Sequence, residues 1–160
     1  MDRRPFVYLN GLRRAHFPVD RNVVPAHITI FHQLPGRELQ DIVDHLCRVC
    51  GRRPPFVIRT AGVRCLGRGV AIELSSDDLQ NLRSELASKW HSWLTAQDRS
   101  RFNPHVTIQN KVSPAEAKAL HTRLQTELAP MHIGAMGLCL WRYKSGPWEK
   151  LNEFAFRSPG

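Results

Sequence analysis

Apolar positions along this chain recur with two periods, and the changes between them mark the elements it should form. Phe6 to Leu12, rich in aromatic and β-branched residues, predicts a strand; a basic loop with Pro18 and Pro25 follows, and Ala26 to Phe31 predicts a second strand. Leu39, Ile42, Val43, Leu46 and Val49 return at helical spacing, so Gly36 to Cys50 reads as an amphipathic helix that Gly51 can stop. Phe56 to Leu66 and Gly69 to Leu74 predict a strand pair joined near Gly67-Arg68-Gly69. Ser76-Asp77-Asp78 offers caps for a helix that buries Leu79, Leu82, Leu86, Trp90 and Trp93. A polar loop, Thr95 to Asn103, leads through Pro104 to a short strand, His105 to Gln109. Ser113-Pro114-Ala115-Glu116 is a strong helix start, with Ser as N-cap, Pro at the first helical position and Glu at the third. That helix should run to Leu128, with Pro130 ending it, before strands Ile133 to Tyr143 and Trp148 to Phe156 turned by Ser145-Gly146-Pro147.

Each half of this order holds a short strand, a helix and a strand pair. The expected architecture is α+β: two lobes of mostly antiparallel sheet with helices on their outer faces and a cleft between them. At 160 residues the chain is one domain, with the two halves sharing a core.

Composition narrows the partners. Hydrophobic residues at 42% are too many for a disordered chain, and no apolar run approaches the roughly 20 residues that cross a bilayer. Nothing behind Met-Asp-Arg-Arg-Pro reads as a signal peptide, so the expected compartment is the cytoplasm. Lys and Arg total 23 against 14 acidic residues, a net charge of +9 that favours polyanions, RNA or DNA first. Four cysteines are too few for a disulfide scaffold. Cys47 and Cys50 form a C-x-x-C near a helix end, without the second pair of a zinc ribbon or the strand of a redox motif, so neither metal nor cofactor is expected.

The informative residues are His27-Ile28-Thr29-Ile30 and His105-Val106-Thr107-Ile108. A single His-x-Thr means little, but chance supplies this apolar-spaced version about 0.1 times and two copies about once in a hundred such chains. On strands, His and Thr of each copy would share one face while the apolar residues anchor the other. Two imidazoles across a cleft can act as general base and general acid, and the hydroxyls of Thr29 and Thr107 can donate to oxygens on which charge grows. Phosphoryl transfer at a strained ester fits these four residues. The blander reading is two half-buried histidines bonded to backbone. Candidates for holding base and sugar are Tyr8 and Asn10 on the first strand, and Tyr143 and Trp148 flanking the last turn. Arg13, Arg14 and Arg21 of the basic loop could reach a phosphate.

The paired tetrapeptides resemble the defining motif of the two-histidine (2H) phosphoesterase superfamily, in particular its bacterial 2′-5′ RNA ligase-like branch. Pro25-Ala26 and Phe102-Asn103-Pro104 are similar to the segments that lead into that family's motifs, and Gly146-Pro147-Trp148-Glu149 with Phe154-Ala155-Phe156 resembles its closing strands. The resemblance implies a bilobal, pseudo-twofold fold in which His27, Thr29, His105 and Thr107 converge on a phosphate without metal. It implies hydrolysis of 2′,3′-cyclic phosphate on RNA ends or small cyclic nucleotides to a phosphomonoester, commonly the 2′-phosphate; a monomer is expected. In two places this chain departs from the pattern. Arg13 to Pro25 is too short and proline-bounded for the helix many members carry there, and where members often place an arginine soon after the second motif this chain has Gln109, Asn110 and Lys111, of which Lys111 could supply the charge without a bidentate fork. Two other functions suit the same residues: an RNA-binding module without turnover, and reversible RNA ligation.

Overall fold

A computed structural model describes residues 1–158. Helix α1 spans Arg3–His16 and α2 Leu39–Gly51; strands β1 (Phe56–Cys65) and β2 (Gly69–Ser75) precede α3 (Asp77–Lys89) and the single turn α4 (Ala96–Arg99). Then come β3 (His105–Asn110), α5 (Pro114–Glu127), β4 (His132–Ala135), β5 (Gly137–Tyr143) and β6 (Trp148–Ala155). The strands form two antiparallel sheets, one of four strands in the order β3-β2-β1-β4 and one of two, β5-β6. The α+β class with two sheets and surrounding helices agrees with expectation, although the sheets are unequal. Among the described residues no helix is long and apolar enough to cross a membrane.

Where local signals are strong the elements follow them. Ser113 and Glu116 form a complete capping box, Ser113 Oγ accepting from the Glu116 amide at 3.2 Å while Glu116 Oε2 accepts from the Ser113 amide at 2.9 Å. Ser76 caps α3, whose Leu79, Leu82 and Leu86 join Trp90 in the core. Ile42, Leu46 and Val49 of α2 pack into the same core, with Ile58, Val70, Ile72, Val106, Ile108 and Ile133 from the sheet.

Three expectations are corrected. Phe6 to Leu12 is not a strand but the middle of α1. The residues that bury there are Pro5, Leu9, Asn10 and Arg13, at helical spacing, while Val7 and Tyr8 face solvent. Arg13, Arg14 and His16 in the last turn complement the negative end of the helix dipole, and with the buried stripe this outweighs the strand preference of Phe6, Val7 and Tyr8. Ala26 to Phe31 is likewise no strand, because with Phe6–Leu12 helical no neighbouring ladder is offered to it. Finally, Ile133 to Tyr143 breaks at Met136, so β4 closes the large sheet while β5 begins the small one. Gly137 makes that change possible: a Cβ there would stand 2.3 Å from the Phe154 carbonyl oxygen.

Candidate active site

The second motif is positioned by sheet register. His105 stands opposite Glu73 and Thr107 opposite Ala71, and Glu73 and Ala71 in turn face Gly62 and Arg64 on β1. Opposed residues of an antiparallel ladder project to the same side. His105, Thr107, Glu73 and Arg64 therefore share one face, while Val106, Ile108, Ile72 and Val70, all fully buried, point into the core.

The first motif reaches the same place without a ladder. Its approach is held by α1: Asn10 Oδ1 accepts from the Ala26 amide at 3.0 Å. One turn on, the buried Arg13 donates through Nε to Asn22 Oδ1 (2.8 Å) and Val24 O (3.2 Å), and through Nη1 to the Thr107 carbonyl at 2.7 Å. One guanidinium thus ties the chain leading to His27 to the strand carrying His105. Burial lowers the Arg13 pKa, a cost its acceptors offset.

A second clamp holds the far side of both motifs. The nearly buried Asp98 accepts through Oδ1 from the His32 amide and ring Nδ1, each at 2.9 Å, and through Oδ2 from the Gln33 amide at 3.1 Å. Burial alone would raise this carboxyl, but the hydrogen bonds from His32 and Gln33 prevail and hold it below the usual carboxylate range. Buried Arg83 donates to the Ile30 carbonyl at 2.9 Å and to the Asp98 carbonyl, with its guanidinium 3.9 Å over the Phe31 ring. The end of the first motif is thereby fixed to the loop that leads into the second.

The two imidazoles are oriented alike. Nδ1 of His27 lies 2.7 Å from the Pro25 carbonyl, and Nδ1 of His105 lies 2.8 Å from the Asn103 carbonyl, in each case two residues upstream. A carbonyl can only accept, so both rings carry their proton on Nδ1 when neutral and leave Nε2 as an acceptor turned away from the main chain. Although His27 keeps an exposed edge, the protein around it strips water from the ring. That desolvation lowers its pKa; the Pro25 hydrogen bond raises it, and the charges of Arg13 and His105 lower it further. The His105 charge is thus felt at the His27 ring. Two imidazoles with free Nε2 atoms can take a proton at one point and return one at another.

The remaining predicted residues are distributed as follows. Thr29 and Thr107 are half-buried. Tyr8 and Asn10 do not alternate on a strand: Tyr8 is exposed on α1, whereas Asn10 is buried and engaged with Ala26. Arg13 belongs to α1 rather than to a loop, as does the exposed Arg14, while Arg21 lies in the short turn Val19–Arg21. Lys111 follows β3, exposed, with φ at +64°. Tyr143 and Trp148 are exposed at the turn end of the β5–β6 hairpin, their rings 5.0 Å apart. Sequence reading missed Arg64, Arg83 and Asp98. A hollow of about 530 Å³ lined by Arg53, Phe56, Arg59 and Ser76 lies at the other end of β1 and contains neither motif. Cys50 is a buried thiol pushed up to about 11, foremost by desolvation, and is unsuited to thiolate chemistry.

Comparison with known proteins bears on the family and the fold. The profile of the 2′-5′ RNA ligase superfamily matches residues 2–147. TT0787 of Thermus thermophilus has a similar structure, with a TM-score of 0.67 and 17% identity over 100% of this chain and 96% of its own. Escherichia coli LigT, crystallised with 3′-AMP, gives a TM-score of 0.56 at 18% identity, covering 91% of this chain and 87% of that one. A structure described as a phosphoesterase gives 0.52 at 16% identity over 93% and 92%. No curated protein matches the sequence.

Proposed function

The chain belongs to the 2′-5′ RNA ligase superfamily of two-histidine phosphoesterases, and from that membership together with the site geometry we propose that it hydrolyses 2′,3′-cyclic phosphates to phosphomonoesters without a metal ion. The observation that carries the proposal is the matched anchoring of His27 and His105, each Nδ1 fixed to the carbonyl two residues before it and each Nε2 left for substrate.

With a cyclic phosphate between them, His27 takes the proton of an attacking water through Nε2. Its depressed pKa keeps it neutral near pH 7, as a base requires. The water oxygen bonds to phosphorus in line with the departing O3′, the P–O3′ bond breaks, and imidazolium His105 gives its Nε2 proton to O3′. The product is a 2′-phosphate and a free 3′-hydroxyl. Thr29 and Thr107 hydroxyls donate to the non-bridging oxygens as their charge grows. The basic surface suits an RNA end, and the nucleotide held by Escherichia coli LigT supports a nucleoside phosphate as the recognised unit.

Incubation with adenosine 2′,3′-cyclic phosphate, followed by phosphorus NMR, tests this reading. The expected result is adenosine 2′-monophosphate from the wild type, with turnover lower by about 10² to 10⁴ in His27→Ala and His105→Ala. A wild type that binds RNA but leaves the cyclic phosphate intact would be a binding module instead.

A further inference from the structure

We propose that Arg64 is the cation that grips the substrate's phosphate, an assignment that rests on the phosphodiesterase reading and adds a residue outside both motifs. Arg64 shares a ladder row with Ala71 and Thr107. Ala71 is completely buried and carries only a methyl group, so the long side chain of Arg64 can lie across β2 toward β3. Its Nη2 comes within 3.1 Å of His105 Nδ1.

Two contacts compete for that nitrogen, and with its hydrogen on the shorter one, 2.8 Å to the Asn103 carbonyl, the Arg64 contact is not a hydrogen bond. The Nδ1 hydrogen already goes to Asn103, which leaves the nitrogen without a lone pair for Arg64. The Nε of Arg64 is buried with no hydrogen-bond partner, and the nearest carboxylate oxygen, Glu73 Oε1, is 3.8 Å away. A guanidinium beside the His105 imidazole therefore holds an Nε–H that no atom of the described residues accepts, at the cost a buried unpaired donor carries. Arg13 shows the contrast, since its Nε and Nη1 are engaged by Asn22, Val24 and Thr107.

A phosphodiester supplies what Arg64 lacks: two non-bridging oxygens in a plane that a guanidinium fork fits. Held there, the phosphorus stands beside His105. Arg64 thus provides, from two strands away, the bidentate cation that Lys111 after the second motif cannot.

The test combines turnover with binding. Arg64→Ala, Arg64→Lys and Arg64→Gln are compared with wild type for hydrolysis of adenosine 2′,3′-cyclic phosphate, and for binding of adenosine 2′-monophosphate and of adenosine by calorimetry, with circular dichroism confirming the fold. The expected result is a loss in kcat/KM of about 100-fold in Arg64→Ala and less in Arg64→Lys. Nucleotide affinity should fall at least tenfold in Arg64→Gln while adenosine binding does not change. Should Arg64→Ala fail to fold, the Lys and Gln variants decide. Turnover and nucleotide affinity within threefold of wild type in a folded Arg64→Gln would overturn the assignment. A wild type that binds the nucleotide through Arg64 without hydrolysing the cyclic phosphate would instead refute the enzyme reading and leave Arg64 as an anion contact.

Discussion

Asp98 offers a demanding check on how the site is assembled, because it touches no substrate yet holds the first motif against the approach to the second. Its carboxylate receives the His32 and Gln33 amides and the His32 ring. In Asp98→Ala both amides lose a charged acceptor. A hydrogen bond to a charged group contributes about 1.5–3 kcal/mol, and the half-exposed His32 ring deserves less, so the combined loss is about 3–5 kcal/mol. Against a total stability of about 5–15 kcal/mol, that variant should be marginal or unfolded. Asp98→Asn keeps one acceptor oxygen and should cost about 1–2 kcal/mol, which makes it the useful variant.

The sign of its pH dependence follows from the depressed carboxyl. A carboxylate whose folded pKa lies below its unfolded value of about 3.9 stabilises the protein fully above that value, and the contribution fades as pH falls through the folded pKa. Urea denaturation at pH 6 should therefore separate wild type from Asp98→Asn by the full amount, with unchanged m-values, and the gap should narrow below pH 4. A gap of the same size at pH 6 and pH 3 would refute the charged clamp. So would an Asp98→Asn protein as stable as wild type at pH 6.

Two further outcomes test the site more directly. The His27 ring, followed by NMR, should titrate below the ordinary value of about 6.5 and move upward in His105→Gln, because removing a positive neighbour favours protonation. No movement would mean that the rings do not share a site. Lys111 adopts a left-handed backbone, which costs a side-chain-bearing residue about 1 kcal/mol, so Lys111→Gly should leave Tm unchanged or raised while KM for the cyclic phosphate increases several-fold. A lowered Tm would show that the backbone there is not strained, and an unchanged KM would remove Lys111 from the substrate's path.

How far the sequence could be read depended on how local each signal was. The capping box at Ser113 and the leucine stripe of α3 lie within a few residues of what they specify, and both elements formed as expected. Phe6 to Leu12 misled because its aromatic and β-branched content is a weak local preference; the spacing of Pro5, Leu9 and Arg13 and the basic last turn were the signal for a helix. Arg64, Arg83 and Asp98 could not have been singled out in the same way. Arg64 meets His105 across 41 positions of sequence and Asp98 meets His32 across 66, partnerships that only the folded topology creates.

The histidine motifs were legible for a reason that differs from the one that suggested them. Strand alternation was expected to aim both His-Thr pairs, yet only His105 and Thr107 stand on a strand. What the copies share is shorter in range: a proline at or just after the accepting carbonyl, Pro25 before His27 and Asn103-Pro104 before His105, and a ring nitrogen bonded two residues back. Proline restricts the backbone at that point and gives up its own amide, which favours an extended approach with a free carbonyl. Imidazole orientation is therefore set within three residues of each histidine, and the surrounding fold need only bring two such units together. Asn10 and Arg13 do so from one helix and Arg83 with Asp98 from the other side, so the first motif is held without a strand beneath it.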